Sequence, residues 1–261
     1  MGRRRAAPEL IAREGDLVVL RDRERPSGRL LRQDDMDASY VDLADAQHLG
    51  FEYLRRMRDV VEVAGARRVV HVGGAGCALA RALAAAHPDH RQEVLEVDAA
   101  VVEMARRHLG LRRTPGLRVR VGEGRAVLAR RAPGSADAVL IDAFVGARVP
   151  RSLVTAEALA TFARVVMPDG LVAVNVVDVP PFAQAARIAA GLDAAFPILF
   201  ALGAPGAVAR RRAGNLVLVG AHRALPLQPL RARAAADPEP GALLDPGATA
   251  GFCAAMPPFR D

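Results

Sequence analysis

The chain has 261 residues, 51% of them apolar and 4% aromatic, with a formal charge of +7. That apolar content can bury one large core, or one core with a small appendage. The charge alone suggests an anionic partner. However, the basic side chains are arginines without a single lysine and they are scattered, as in "MGRRRAAPEL", "RDRERP" and "VARRRAG". The bias is that of GC-rich coding, and with few aromatic platforms for bases, nucleic acid is not an expected partner.

Cys77 and Cys253 form no CxxC or metal-ligand spacing, so two free thiols in a reducing compartment are expected. The basic start lacks a following apolar stretch, and no run has the length of a membrane span. A soluble cytoplasmic protein is expected, with no membrane partner.

In chain order, "GDLVVLRD" and "GRLLRQDDMDASYVDL" flank the turn "RERPSG" and predict a β-hairpin or small sheet within residues 1–50. "HLGFEYLRRMRDVVEVAG" predicts the helix that leads into the next unit, residues 51–225. There, strand-like runs "RVVHV", "EVLEV", "LRVRV", "DAVLID" and "LVAVNVV" alternate with helical stretches. Asp98 is placed to cap one helix and Gly110 to end it; another starts at Thr155 and should stop at "PDG". This alternation predicts a doubly wound α/β sheet. After "PPFAQAARIAAGLDAAF", the runs "ILFAL" and "NLVLVGA" follow each other without a helix, which predicts a hairpin and an antiparallel edge strand. Seven strands with the last reversed match the methyltransferase-type Rossmann-like sheet. Residues 226–261 are proline-broken and predict a short helix plus coil.

The stretch "VVHVGGAGCALARAL" brings Gly73, Gly74 and Gly76 to a strand-to-helix turn, where a ligand can approach the backbone closely. A glycine there for packing alone is the competing explanation. Glu96, 20 residues past Gly76 at the next strand end, is placed to accept both ribose hydroxyls. In "VGEGR", Glu123 sits beside Gly124 at the third strand end, in reach of an adenine amine. Together they predict a nucleoside cradle. NAD fits the first two features, but Leu79 stands where a strict GxGxxG has its last glycine. Asp142 ends the fourth strand and is either a base for an incoming amine or a turn cap. Asp178 follows the fifth. His71, inside the first strand, reads as a core residue, and the dispersed histidines predict no metal site.

These residues carry a resemblance to the spermidine synthase (polyamine aminopropyltransferase) family. It rests on "VVHVGGAG", "VLEVDAAVVEMAR", "VRVGEGRAVL", "SADAVLIDAF" and "MPDGLVAVNVV", in that order. The resemblance implies a small N-terminal β-domain, a decarboxylated S-adenosylmethionine (AdoMet) donor, methylthioadenosine as product and a homodimer. It also implies that Glu96 binds ribose, Glu123 faces adenine and Asp142 opens the catalytic loop. Three positions depart from the family: Gly76 replaces an aspartate, Val145 replaces the second loop aspartate, and the active-site tyrosine falls at Phe51, with Tyr40 as a substitute. The acceptor is then expected to be a small molecule other than a diamine. Intact AdoMet, with S-adenosylhomocysteine as product, becomes admissible. A genuine polyamine aminopropyltransferase, a non-catalytic nucleoside-binding protein and an NAD oxidoreductase are the alternatives.

Overall fold

The computed structural model describes residues 8–34, 36–111, 114–253 and 256–261. The "RRR" of the N-terminal start lies outside them.

Four antiparallel strands come first, paired in chain order: β1 (Glu9–Glu14), β2 (Leu17–Arg21), β3 (Gly28–Gln33) and β4 (Met36–Asp42). The polar, largely exposed β1 carries no alternating apolar signal, so the sequence pattern conceals it. On β2 to β4, Leu17, Val19, Leu31 and Val41 point inward and are buried in one apolar cluster that also holds Leu54, Met57 and Val60 of α1 (Glu52–Ala64). Gly65 ends α1 in the left-handed conformation, the usual helix stop.

The second sheet has eight strands in the order β12-β10-β11-β9-β8-β5-β6-β7. They are β5 (Arg68–Gly73), β6 (Arg91–Glu96), β7 (Leu117–Val121), β8 (Ala136–Asp142), β9 (Val166–Asp178), β10 (Ile198–Gly203), β11 (Gly214–Ala221) and β12 (Ala242–Leu244). The helices α2 (Ala78–Ala86), α3 (Ala99–His108), α4 (Gly124–Ala129), α5 (Ala156–Val165) and α6 (Ala183–Ala195) join them, with a short α7 (Pro205–Val208) between β10 and β11. Strand alternation divides the core. Val69, Ala138 and Leu140 pack toward α1, α2 and α3, whereas Val70, Val72, Val139 and Ile141 pack toward α4, α5 and α6.

The seven expected strands are present with the last reversed, but the reversed one is not at the edge. β11 lies between β9 and β10 and is antiparallel to both. The residues after 226 hold more than the expected short helix plus coil: besides α8 (Leu227–Ala236) they form β12 and α9 (Pro246–Cys253), and β12 adds the eighth strand on β10. The helix from Thr155 stops at Val165 rather than at the Pro-Asp-Gly turn, because buried Val166 pairs in the sheet with Ala136.

The chain moves outward from β5 through β6 to β7, then returns to β8 on the other side of β5. That reversal opens the crevice in which α/β sheets bind ligands. Gly73 and Asp142 are direct partners across it. Gly73 has φ +80, and a Cβ there would lie 2.5 Å from the Asp142 carbonyl oxygen. Gly65 shares the left-handed backbone (φ +69) but meets nothing within 4 Å. Gly65→Ala should therefore cost about 1–2 kcal/mol, the backbone penalty alone. Gly73→Ala should cost roughly 3 kcal/mol or more, because overpacking adds to it. Urea denaturation of the two variants checks the difference; equal losses would mean that the close approach at Gly73 is unimportant.

Candidate active site

The turn after β5 is built from left-handed backbone: Gly73, Gly74, Ala75 and Cys77 all have positive φ. Such a turn is strained at its two non-glycine residues and must be held by its surroundings. One restraint is Glu96, at the end of β6. Its carboxylate is 8% exposed and accepts the Asp98 N–H at 3.0 Å. Burial raises its pKa; hydrogen bonds from the backbone N–H groups of Asp98, Val97 and Ala75 oppose the rise. Glu96 and the glycine turn are thus one unit.

The three glycines differ. At Gly74 (φ +99) a Cβ would meet nothing within 4 Å, so this point of the turn is open to an approaching ligand. At Gly76 a Cβ would lie 2.7 Å from Ser39 Oγ, so its missing side chain accommodates β4. At Gly124 it would lie 2.4 Å from Val72 Cγ1, which gives that glycine a packing role. Glu123 caps α4: Oε1 accepts the Arg125 N–H at 3.0 Å and Oε2 the Ala126 N–H at 2.6 Å.

Asp142 lies across the turn, at the end of β8. Its Oδ1 accepts from Asn175 Nδ2 at 2.9 Å, and its Oδ2 from the Tyr53 hydroxyl at 3.3 Å. Burial pushes its pKa up from 3.8 to about 6, against the pull of both hydrogen bonds. Tyr53 itself is raised well above a normal phenol by burial and by the Asp142 charge. Both residues border a cavity of about 20 Å³ with Ala38, Ser39, Met57 and Gly74, room for about one water. A nucleoside is far larger than this cavity. His71 and Cys77 also border the cavity. His71, bonded to Gln92 at 2.9 Å, is pushed down to about 4 by burial and is neutral. Burial raises the Cys77 thiol to about 12. Both cysteines are free.

The structure does not bring the other expected residues to this cavity. Tyr40 donates to Asp22 Oδ2 at 2.8 Å and packs edge-on against His48, within the N-terminal sheet and its following loop. Phe51 is the residue before α1 and stacks on Tyr53 at 5.9 Å. The tyrosine that borders the cavity is Tyr53, two positions further on and in the first turn of the helix; its presence in "FEYLRR" was the available signal. Val145 is 74% exposed in a tight turn with Arg148. Asp178 accepts the Val179 and Ala185 N–H groups and so anchors the start of α6. Asn175, missed by the sequence reading, has a readable signal: it is the lone polar residue within "LVAVNVV". Among the described residues, no three His, Cys, Asp or Glu side chains gather to hold a metal ion, and no helix is long and apolar enough to cross a membrane.

No family model matches the sequence. A polyamine aminopropyltransferase of Vibrio vulnificus (strain CMCP6) is 27% identical over 110 residues, 41% of this chain and 37% of that protein. The match spans little more than a third of that relative's length. A probable spermidine synthase from Corynebacterium glutamicum ATCC 13032 superposes with a TM-score of 0.87 at 25% identity, covering 98% of this chain and 97% of its own. The chain is spermidine-synthase-like. Human methyltransferase-like protein 13, solved in complex with SAH, gives a TM-score of 0.53 at 18% identity, over 80% of this chain and 91% of its own. That second likeness is one of fold. It fits the reversed β11 of this spermidine-synthase-like chain.

The raised Asp142 has a consequence for stability. The folded state holds this proton more tightly than the unfolded chain does. Its contribution is therefore fully present below about pH 4 and is lost as pH rises through about 6. Asp142→Asn keeps the shape and removes the titration. At about pH 7.5 the variant should be more stable than its parent, on the order of 3 kcal/mol, with the gap closing toward pH 4. Urea midpoints at the two pH values check this, and a pH-independent difference would refute it.

Proposed function

We propose that this chain transfers an alkyl group from the sulfonium of AdoMet or decarboxylated AdoMet to the nitrogen of a small-molecule acceptor. The observation that carries this is the Tyr53–Asp142 pair facing the glycine turn across the β5/β8 crevice. Gly74 leaves the turn open for the nucleoside, and Glu96 stands at the β6 end for the ribose hydroxyls. The donor supplies a carbon made electrophilic by the positive sulfur. The acceptor nitrogen bonds to that carbon while the carbon–sulfur bond breaks toward sulfur. Asp142 takes the nitrogen's proton, and its upward shift brings it closer to the pKa of an amine. Tyr53 fixes the second carboxylate oxygen. The close alignment of nucleophile and sulfonium contributes the rest.

The donor-side position Gly76 supports intact AdoMet as well as its decarboxylated form, since no carboxylate there repels the donor's own. Asp142 is the only carboxylate among the described residues that border the cavity, and a diamine needs anionic partners at both ends. The acceptor is therefore taken to carry a single amine. Genuine polyamine aminopropyl transfer is the second reading, favoured by the likeness to the Vibrio aminopropyltransferase and the Corynebacterium structure.

Calorimetric titration with AdoMet, decarboxylated AdoMet, methylthioadenosine and NAD in parallel separates these readings from an oxidoreductase. Glu96→Ala should weaken nucleoside binding by about 1.5–3 kcal/mol. Asp142→Asn should lower turnover by roughly 10²–10⁴ and leave donor affinity nearly intact. Tight binding of NAD alone, or full turnover by Asp142→Asn, would overturn the proposal. Rapid putrescine-dependent release of methylthioadenosine would select the polyamine reading.

A further inference from the structure

A row of three polar side chains crosses the carboxyl end of the sheet. Ile141 pairs with Val174, so Asp142 on β8 and Asn175 on β9 follow side by side. Asn175 is opposite Val217 on the reversed strand, and Asn215 is opposite Val177. Asn175 and Asn215 are thus a diagonal pair on one face, a spacing that side chains can bridge. Asn215 Nδ2 donates to Asn175 Oδ1 at 2.9 Å, and Asn175 Nδ2 donates to Asp142 Oδ1 at 2.9 Å. Asn175 is fully buried amid valines and alanines. A buried amide there costs free energy unless its partners are fixed.

The direction of the chain is set chemically. An ionised carboxylate only accepts, so Asn175 must turn its Nδ2 toward Asp142 and its Oδ1 away. Asn215 supplies the donor that holds Oδ1 in that orientation. We propose that Asn215 and Asn175 form a positioning relay: the reversed strand orients Asp142 through two amides and leaves its Oδ2 to Tyr53 and the incoming acceptor. The consequence for catalysis rests on the transferase reading; the relay itself does not. The groups facing the carboxylate are Tyr53 from α1 and Asn175 from β9, while His71 of β5 and Cys77 of the glycine turn border the same cavity in neutral form. Among the described residues that border the cavity, no second charge competes with the relay for control of the Asp142 proton.

The test reads the Asp142 carboxyl directly, by ¹³C NMR titration of the intact protein with Asp142→Asn as the assignment control. The parent midpoint is expected at about 6. Asn175→Leu should raise it by about one pH unit, because the charged form loses a donor. Asn215→Leu, at a half-buried site, should raise it by a smaller amount in the same direction. Should Asn175→Leu fail to fold, Asn175→Ser is measured in its place, with the same upward shift expected. An Asn215→Leu midpoint equal to the parent's overturns the relay, and so does an unmoved midpoint in the Asn175 variant. A purely structural role would lower stability and leave the titration alone. Since no turnover is required, a failed relay is distinguishable from a failed transferase, which calorimetry with AdoMet and methylthioadenosine decides.

Discussion

A carboxylate set among valines and alanines loses hydration and drifts toward protonation, while each donor that reaches it pulls it back. Asp142 sits in that balance, and the surrounding structure is arranged to maintain it. Gly73 has no side chain where the Asp142 backbone comes against it. The first turn of α1 delivers Tyr53 to one carboxylate oxygen, and β9 delivers Asn175 to the other. Without the donors, the burial that raises this acid would simply neutralise it. Without the burial, it would be an ordinary surface aspartate.

The N-terminal sheet belongs to the same arrangement. Ala38 and Ser39 of β4 border the cavity, and Ser39 occupies the space beside Gly76. The missing side chain at position 76 lets β4 settle against the turn. A carboxylate introduced there would have to displace Ser39 before it could meet any ligand. Arg55 of α1, paired with Asp237 at 2.7 Å, ties the helix that carries Tyr53 to the segment after α8. The site is therefore walled by parts of the chain far apart in sequence.

Much of the fold was legible because its signals are local. Apolar runs of five or six residues, Asp98 as a cap and Gly110 as a stop all state their structure within one turn. Glycines before a helix and acids at strand ends likewise mark the crevice. What stayed hidden depends on distant partners. β12 has three residues and exists because β10 offers an edge; β11 enters the sheet's interior through pairing with β9. Tyr53 was missed by counting back from the glycine turn, an estimate that a shift of two residues at the start of a helix defeats. Glu123 and Asp178 look like ligand acids in sequence, yet backbone N–H groups take up their carboxylates, which a linear chain does not reveal.

The same distinction bears on the acceptor. Asp178 anchors α6 and position 145 is an exposed valine, so on the proposed transfer neither supplies a second negative charge near Asp142. A flexible dication bound at one end only would leave its other ammonium without a partner, and the desolvation of an unpaired charge is larger than one surface ion pair returns. Ala38, Leu54, Met57 and Leu140 line the remaining wall. That cavity has room for about one water, so on the proposed transfer the far end of an acceptor lies outside it. Selectivity on this basis comes less from an added attraction than from the absence of the anion that a diamine requires. Under the proposed transfer the raised acid serves one nitrogen, and no second carboxylate among the described residues that border the cavity is there to hold another.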